Sequence, residues 1–176
     1  MNQSDLNIDT SAEIKKIWNI LEEVYDPEIP VLSVVDLGIV RRIEFLQHPP
    51  SGGLGVYITP TYSGCPAMDV ISMNIRMTLL SNGYKNVNVV QTLSPAWTTD
   101  WMTEKGKEKL KEYGIAPPNV KQQVCNQELF ATDEAVQCPH CHSYHTQRIS
   151  EFGSTACKSL YQCKDCKEPF DYFKCH

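Results

Sequence analysis

Thr61-Tyr62-Ser63-Gly64-Cys65-Pro66-Ala67-Met68 is the stretch on which the fold turns, because there the apolar repeat changes from that of a strand to that of a helix. Upstream, Leu54, Val56 and Ile58 alternate with Gly55, Tyr57 and Thr59. Downstream, Met68, Val70, Ile71, Met73, Ile75, Met77, Leu79 and Leu80 surround a helix expected over residues 66–82, closed by Gly83 at C′ and buried against a sheet. Pro66 suits the first helical position, where its missing N–H costs nothing. Cys65 then falls at the N-cap, facing unpaired amides and the positive end of the helix dipole. Such a setting favours thiolate, the form that binds metal or attacks an electrophile. The alternative is a small packing thiol, since free cysteines are among the most buried residues.

Outward from this point the elements fall into one order. Thr10 with Glu13 reads as a capping box, and Ile14, Ile17, Trp18, Leu21 and Val24 follow at helical spacing until Pro27 intervenes near Tyr25. Residues 39–46 and 54–59 read as two antiparallel strands, joined by Pro49-Pro50-Ser51-Gly52-Gly53. Residues 87–93 form a third strand, and Trp97-Thr98-Thr99-Asp100-Trp101 leads into a weaker helix ending before Gly114. The fold class is α+β, an α-β-β-α-β-α domain over residues 10–114. Two prolines and a polar run then mark residues 115–135 as a linker, and residues 136–176 form a second unit.

The second unit is defined by its cysteines. Of the 8 in the chain, Cys138, Cys141, Cys157, Cys163, Cys166 and Cys175 lie beyond residue 135. Cys138-Pro139-His140-Cys141 and Cys163-Lys164-Asp165-Cys166 are two C-x2-C knuckles, each of which turns two thiolates toward one point. Strand-like residues 146–152 and 159–162 lie between them, as in a zinc ribbon. So short a segment cannot bury enough apolar surface to fold alone, so a structural zinc ion bound by Cys138, Cys141, Cys163 and Cys166 would supply much of its folding free energy. Four thiolates also hold an iron–sulfur cluster, but paired two-residue spacings suit one tetrahedral ion better. Cys157 and Cys175 read as core thiols, alternative ligands or a redox pair, and Cys125 as incidental. His140, His142, His145 and His176 support the site rather than ligate it.

Charge and composition exclude several roles. The net charge is −5, with 5 Lys/Arg against 4 Asp/Glu in residues 136–176, so the dense basic face of a nucleic-acid binder is missing. The first residues have no basic and apolar regions of a signal peptide, and no run reaches the roughly 20 apolar residues of a membrane span, so a cytoplasmic protein is expected. In a reducing compartment paired cysteines serve as metal ligands more often than as disulfides.

Asp26-Pro27-Glu28-Ile29-Pro30 and Asp36-Leu37-Gly38 put Asp26, Glu28 and Asp36 in the turns between the first helix and the first strand. They read either as ordinary turn builders or as acids around Cys65, if the sheet gathers these turns at one end. Trp97 and Trp101 either cover an edge of the domain or rim a partner surface.

Together with Ser63-Gly64-Cys65-Pro66, these motifs resemble the SufT-type iron–sulfur assembly domain, whose single cysteine is linked to cluster maturation. Val31-Leu32-Ser33-Val34-Val35-Asp36, Leu93-Ser94-Pro95-Ala96-Trp97-Thr98-Thr99-Asp100-Trp101, and Phe152-Gly153-Ser154-Thr155 through Glu168-Pro169-Phe170-Asp171-Tyr172-Phe173-Lys174 resemble the PaaD (PaaJ) family of phenylacetate degradation. The resemblance covers about residues 12–176. It implies association with the oxygenase that epoxidises phenylacetyl-CoA and with its iron–sulfur and flavin reductase. The chain has no paired Glu-x-x-His motifs, dinucleotide fingerprint or ferredoxin cysteine run, so an accessory role without catalysis of its own is expected. No His or Lys stands within a few residues of Cys65 to activate it as an enzyme nucleophile.

The resemblance thus implies a factor that helps assemble or deliver a transient iron–sulfur cluster, with Cys65 as one ligand and Asp26, Glu28 and Asp36 around it. Other ligands would come from a client, a small thiol or a second copy in a homodimer. The alternative is a non-catalytic binding component that docks the oxygenase and its reductase, in which Cys65 merely packs.

Overall fold

The computed structural model describes residues 10–46, 53–118 and 136–174. Helix α1 (Thr10–Leu21) buries Ile17 and Leu21 completely. It ends four residues before the expected stop near Tyr25, and Val24 is held by a bond from its N–H to Leu21 O. The turns that follow are clasped by backbone pairing: Asp26 N–H donates to Leu32 O at 2.9 Å and Val34 N–H to Val24 O at 2.8 Å.

Strand β1 (Val40–Leu46) pairs antiparallel with β2 (Gly53–Ile58), as expected. Strand β3 (Val87–Gln91) lies parallel to β2 on its other side, giving the order β1-β2-β3. Parallel neighbours need a crossover, and α2 (Ala67–Ser81) supplies it, closed by Gly83 at φ +90. The helix is buried in the core as expected, but on one face alone, although its apolar residues run most of the way round. Ala67, Met68, Ile71, Ile75 and Leu79 face the core, whereas Met73 and Met77 are 65% and 61% exposed and Val70 and Leu80 are also exposed. A single three-stranded sheet can cover only one face of the helix.

A turn of 3-10 helix (Thr99–Trp101) precedes α3 (Glu104–Glu112), whose first turn is capped by Thr103 accepting from Gly106 N–H. Trp97 is a core residue, 3% exposed, and its Nε1 donates to Leu37 O at 3.0 Å. Trp101 lies under the Arg41 guanidinium, 3.3 Å from ring centroid to Cζ. Gly38 makes this junction possible. At φ +66, a Cβ there would fall 2.0 Å from Trp101 backbone O. Gly38→Ala should therefore lose about 2–3 kcal/mol from positive-φ strain plus overpacking, read as a lower midpoint in urea.

The second sheet has the order β4-β7-β6-β5. Strands β5 (Thr146–Ser150), β6 (Lys158–Cys163) and β7 (Pro169–Phe173) are antiparallel neighbours, and β4 (Ile115–Ala116) pairs parallel with β7. Residues 115 and 116 are thus strand rather than the start of a linker. Alternation along β4 turns Ile115 into the first domain's core and Ala116 into the ribbon's own. The rest of the expected linker from residue 119, with Cys125, lies outside the described residues, as do Cys175, His176 and most of the 49–53 loop.

The ribbon core is small: Tyr161 stacks on Phe170 at 5.9 Å and meets Tyr172 edge-on at 5.5 Å, beside buried Cys138 and Cys163. Phe173 and Cys157 instead join the core of the first domain, where Phe173 packs edge-on against Trp97 at 6.1 Å. The two parts of the chain are therefore joined by packing. Among the described residues no helix is long and apolar enough to cross a membrane.

Candidate functional site

The two knuckles of the ribbon are built alike. In one, His142 N–H donates to Cys138 O and Cys138 N–H to Ser143 O, both at 2.9 Å. In the other, Lys167 N–H donates to Cys163 O at 3.1 Å and Cys163 N–H to Glu168 O at 3.0 Å. His142 and Lys167, each four residues after its cysteine, both have positive φ, at 62 and 70. This geometry leaves backbone N–H groups aimed at sulfur, from His140 and Cys141 to Cys138 and from Asp165 and Cys166 to Cys163. Asp165 ties the knuckles together by bonding Ser143 Oγ and, at 2.9 Å, His145 Nδ1, which leaves that histidine as a brace.

Cys138, Cys141, Cys163 and Cys166 offer sulfurs that all lie within 4.8 Å of one another. Cys141 and Cys163 are 3.5 Å apart and Cys138 and Cys166 3.8 Å. A tetrahedron with metal–sulfur bonds of about 2.3 Å places its sulfurs about 3.8 Å apart, so the quartet fits one divalent ion. Its electrostatics need one too. Desolvation raises the Cys163 thiol, but the amides of Cys166 and Asp165 bring it down to about 7. Cys166 accepts from Glu168 N–H, yet desolvation and the three neighbouring thiols push it up to about 12. Four such groups ionise together only around a cation.

Cys65 lies in the first domain, on the loop that leads from β2 into α2. Pro66, in helical geometry, takes the N-cap position, and Cys65 stands one residue earlier. Its sulfur still accepts from Ala67 N–H and from the Tyr62 hydroxyl. The expectation of a ready thiolate is corrected: burial pushes the Cys65 thiol up, Glu28 and Asp26 push it further, and the two donors do not compensate. Tyr62, itself raised to about 12 by burial and by the charges of Cys65, Glu28 and Cys157, stays a hydroxyl donor.

The charges of Asp26 and Glu28 thus reach Cys65. Asp26 Oδ1 caps its own turn, accepting from Glu28 N–H at 2.7 Å and Ile29 N–H at 2.8 Å. Burial nevertheless raises its pKa against these bonds and against Lys158. A carboxyl with a raised folded pKa costs stability while charged, and that cost disappears as pH falls through the folded value. Asp26→Asn, which can keep both amide bonds, should thus melt higher than the parent at pH 7, with the gap closing on acidification; scanning calorimetry across pH reads it.

Asp36 is spent elsewhere. Lys109 Nζ lies 2.5 Å from Oδ2, Ser33 N–H and Thr103 Oγ1 donate at 3.2 Å, and Thr103 N–H donates to Asp36 O, fastening α3 to the turn. Despite desolvation, Lys109 and Ser33 hold its carboxyl below the ordinary value. Two residues that respond to the Glu28 carboxylate escape sequence reasoning. Tyr62 could have been suspected from its i−3 position to Cys65, whereas Cys157 comes from the ribbon and no local pattern announces it.

Comparison with known proteins follows the two halves. Residues 14–90 match the family described as iron–sulfur cluster assembly protein, and residues 122–174 match the PaaD zinc beta ribbon domain. A protein of Escherichia coli K12 that bears the name of a 1,2-phenylacetyl-CoA epoxidase component is 50% identical over 163 residues, 93% of each chain. An Fe-S protein maturation auxiliary factor of Porphyromonas gingivalis is 38% identical over 95 residues, 53% of this chain and 87% of that one. A crystal structure of a domain of unknown function, DUF59, from Bacillus anthracis superposes with a TM-score of 0.52 at 25% identity, covering 58% of this chain and 94% of the other.

Proposed function

Because the chain belongs to the PaaD family of phenylacetyl-CoA epoxidase components, we propose that it is an accessory factor that assembles or delivers an iron–sulfur cluster for the ring-epoxidising system. The cluster is its cargo, and the reductase or the oxygenase is its client. The chain performs no oxidation of its own. In the ribbon, Cys138, Cys141, Cys163 and Cys166 hold a zinc ion whose work is architectural.

One observation carries this reading: Cys65, half-buried where the chain enters α2, accepts from the Tyr62 hydroxyl and Ala67 N–H and feels the charges of Glu28 and Asp26 rather than meeting hydrocarbon alone. The carboxylates attract a cation, and each thiol that ligates it gives up its proton, so capture strengthens as pH rises. A site that supplies fewer than four protein ligands holds its cargo incompletely, which is what transfer to a client requires.

In cells carrying the whole system, Cys65→Ser should lower cluster occupancy of the client and epoxidase activity by at least about tenfold, with the accessory chain still present at its normal level. Unchanged occupancy and activity would sink the delivery role and leave a docking component in which Cys65 packs.

A further inference from the structure

Cys157 is not used by the ribbon's own metal quartet. It sits on the turn before β6, with its carbonyl accepting from Lys174 N–H at 3.0 Å, and it is 5% exposed. The cluster it packs into is not that of Cys138, Cys163 and Tyr161 but the core of the first domain, against which Cys65 is also packed. Its sulfur nonetheless meets more than hydrocarbon. Cys157 has Thr155 Oγ1 at 3.0 Å from its sulfur and the charges of Lys158, Glu28 and Asp26 within electrostatic reach. The same two carboxylates act on Cys65, and Tyr62, bonded to Cys65, also feels Cys157.

Taking the delivery role as its premise, we propose that Cys157 is the second sulfur of the Cys65 pocket, so that iron–sulfur cargo is gripped between the assembly domain and the ribbon. Asp26 and Glu28 favour a cation beside the two thiols, and each thiol gives up its proton only as it ligates that cation. Among the described residues, only the ribbon quartet brings three or more Cys, His or carboxylate donors within 4.8 Å of one another. The wider spread of Cys65, Cys157, Asp26 and Glu28 suits cargo with more than one metal atom better than a single ion. Each sulfur loses its proton to solvent on ligation; no redox step is involved. The ribbon thereby acquires a function beyond architecture: it carries a ligand.

The test is anaerobic addition of ferric iron and sulfide to the full-length protein already loaded with zinc, followed by its visible absorption and by the rate at which a chelator removes the iron. Wild type should develop a sulfide-to-iron chromophore. Cys157→Ser and the space-filling Cys157→Val should either fail to develop it or release iron at least tenfold faster, and Cys65→Ser should do the same, while every variant keeps one zinc per chain as evidence of a folded ribbon. A chromophore lost in Cys65→Ser but retained in both Cys157 variants overturns the two-sulfur site and leaves the delivery role standing. A chromophore indifferent to all three substitutions, or absent from wild type, overturns both.

Discussion

Stripping the metal from the four-thiol site should unfold β5, β6 and β7 together. Binding free energies of structural zinc sites are about 10–16 kcal/mol near neutral pH, and in such small units this is the folding free energy itself. The apolar alternative is slight, since apart from the ligands the ribbon's own buried cluster is Ala116, Val136, Tyr161, Phe170 and Tyr172. The damage should not stop there, because β7 carries Phe173 into the other core. Chelation should therefore abolish amide protection in residues 158–173 and also lower the melting temperature of the assembly domain, both reversed by adding zinc back. Protection that survives complete metal removal would show that the sheet stands on its own packing.

Phe173→Ala should have the next largest effect, about 3–5 kcal/mol, the usual cost of deleting a fully buried aromatic ring. Phe173 is 1% exposed and contributes an edge-on contact with Trp97, whose indole is in turn anchored to Leu37 O. The loss should fall on the joint between the domains and leave the knuckles intact. Unfolding midpoints in urea should drop while zinc stoichiometry stays at one per chain, and Phe173→Leu should recover most of the stability. A cost below about 1 kcal/mol would mean that the two domains scarcely support one another.

The parts legible in the sequence are those governed by neighbours along the chain. Pro66 and Gly83 bracket α2 because proline and glycine act on their own φ, and the C-x2-C pairs declare a metal site because a knuckle is a local turn. Alternation in residues 54–59 is enough to place β2. What escapes depends on distant partners. Helix position alone makes Cys65 a thiolate, whereas its proton affinity is set by burial and by carboxylates nearly forty residues earlier. Asp36 looks like a neighbour of the pocket until the fold brings up Lys109, seventy-three residues later, to take its oxygen. β4 is two residues long and β7 begins with proline, so neither carries much of a repeat. Cys157 can be recognised only once folding has carried it across to Asp26 and Glu28.

Strand β4 has one more consequence. Ile115 and Ala116 occupy the flank of β7 opposite Asp171 and Tyr172, so the ribbon's border on that side is finished by residues contributed from the other domain. A fragment begun at residue 136 would expose that flank, with main-chain donors and acceptors bare, which is a template for aggregation through edge-to-edge pairing. Such a fragment should self-associate even when fully metallated, and dissecting this protein for solution work calls for a cut ahead of residue 115 rather than after it.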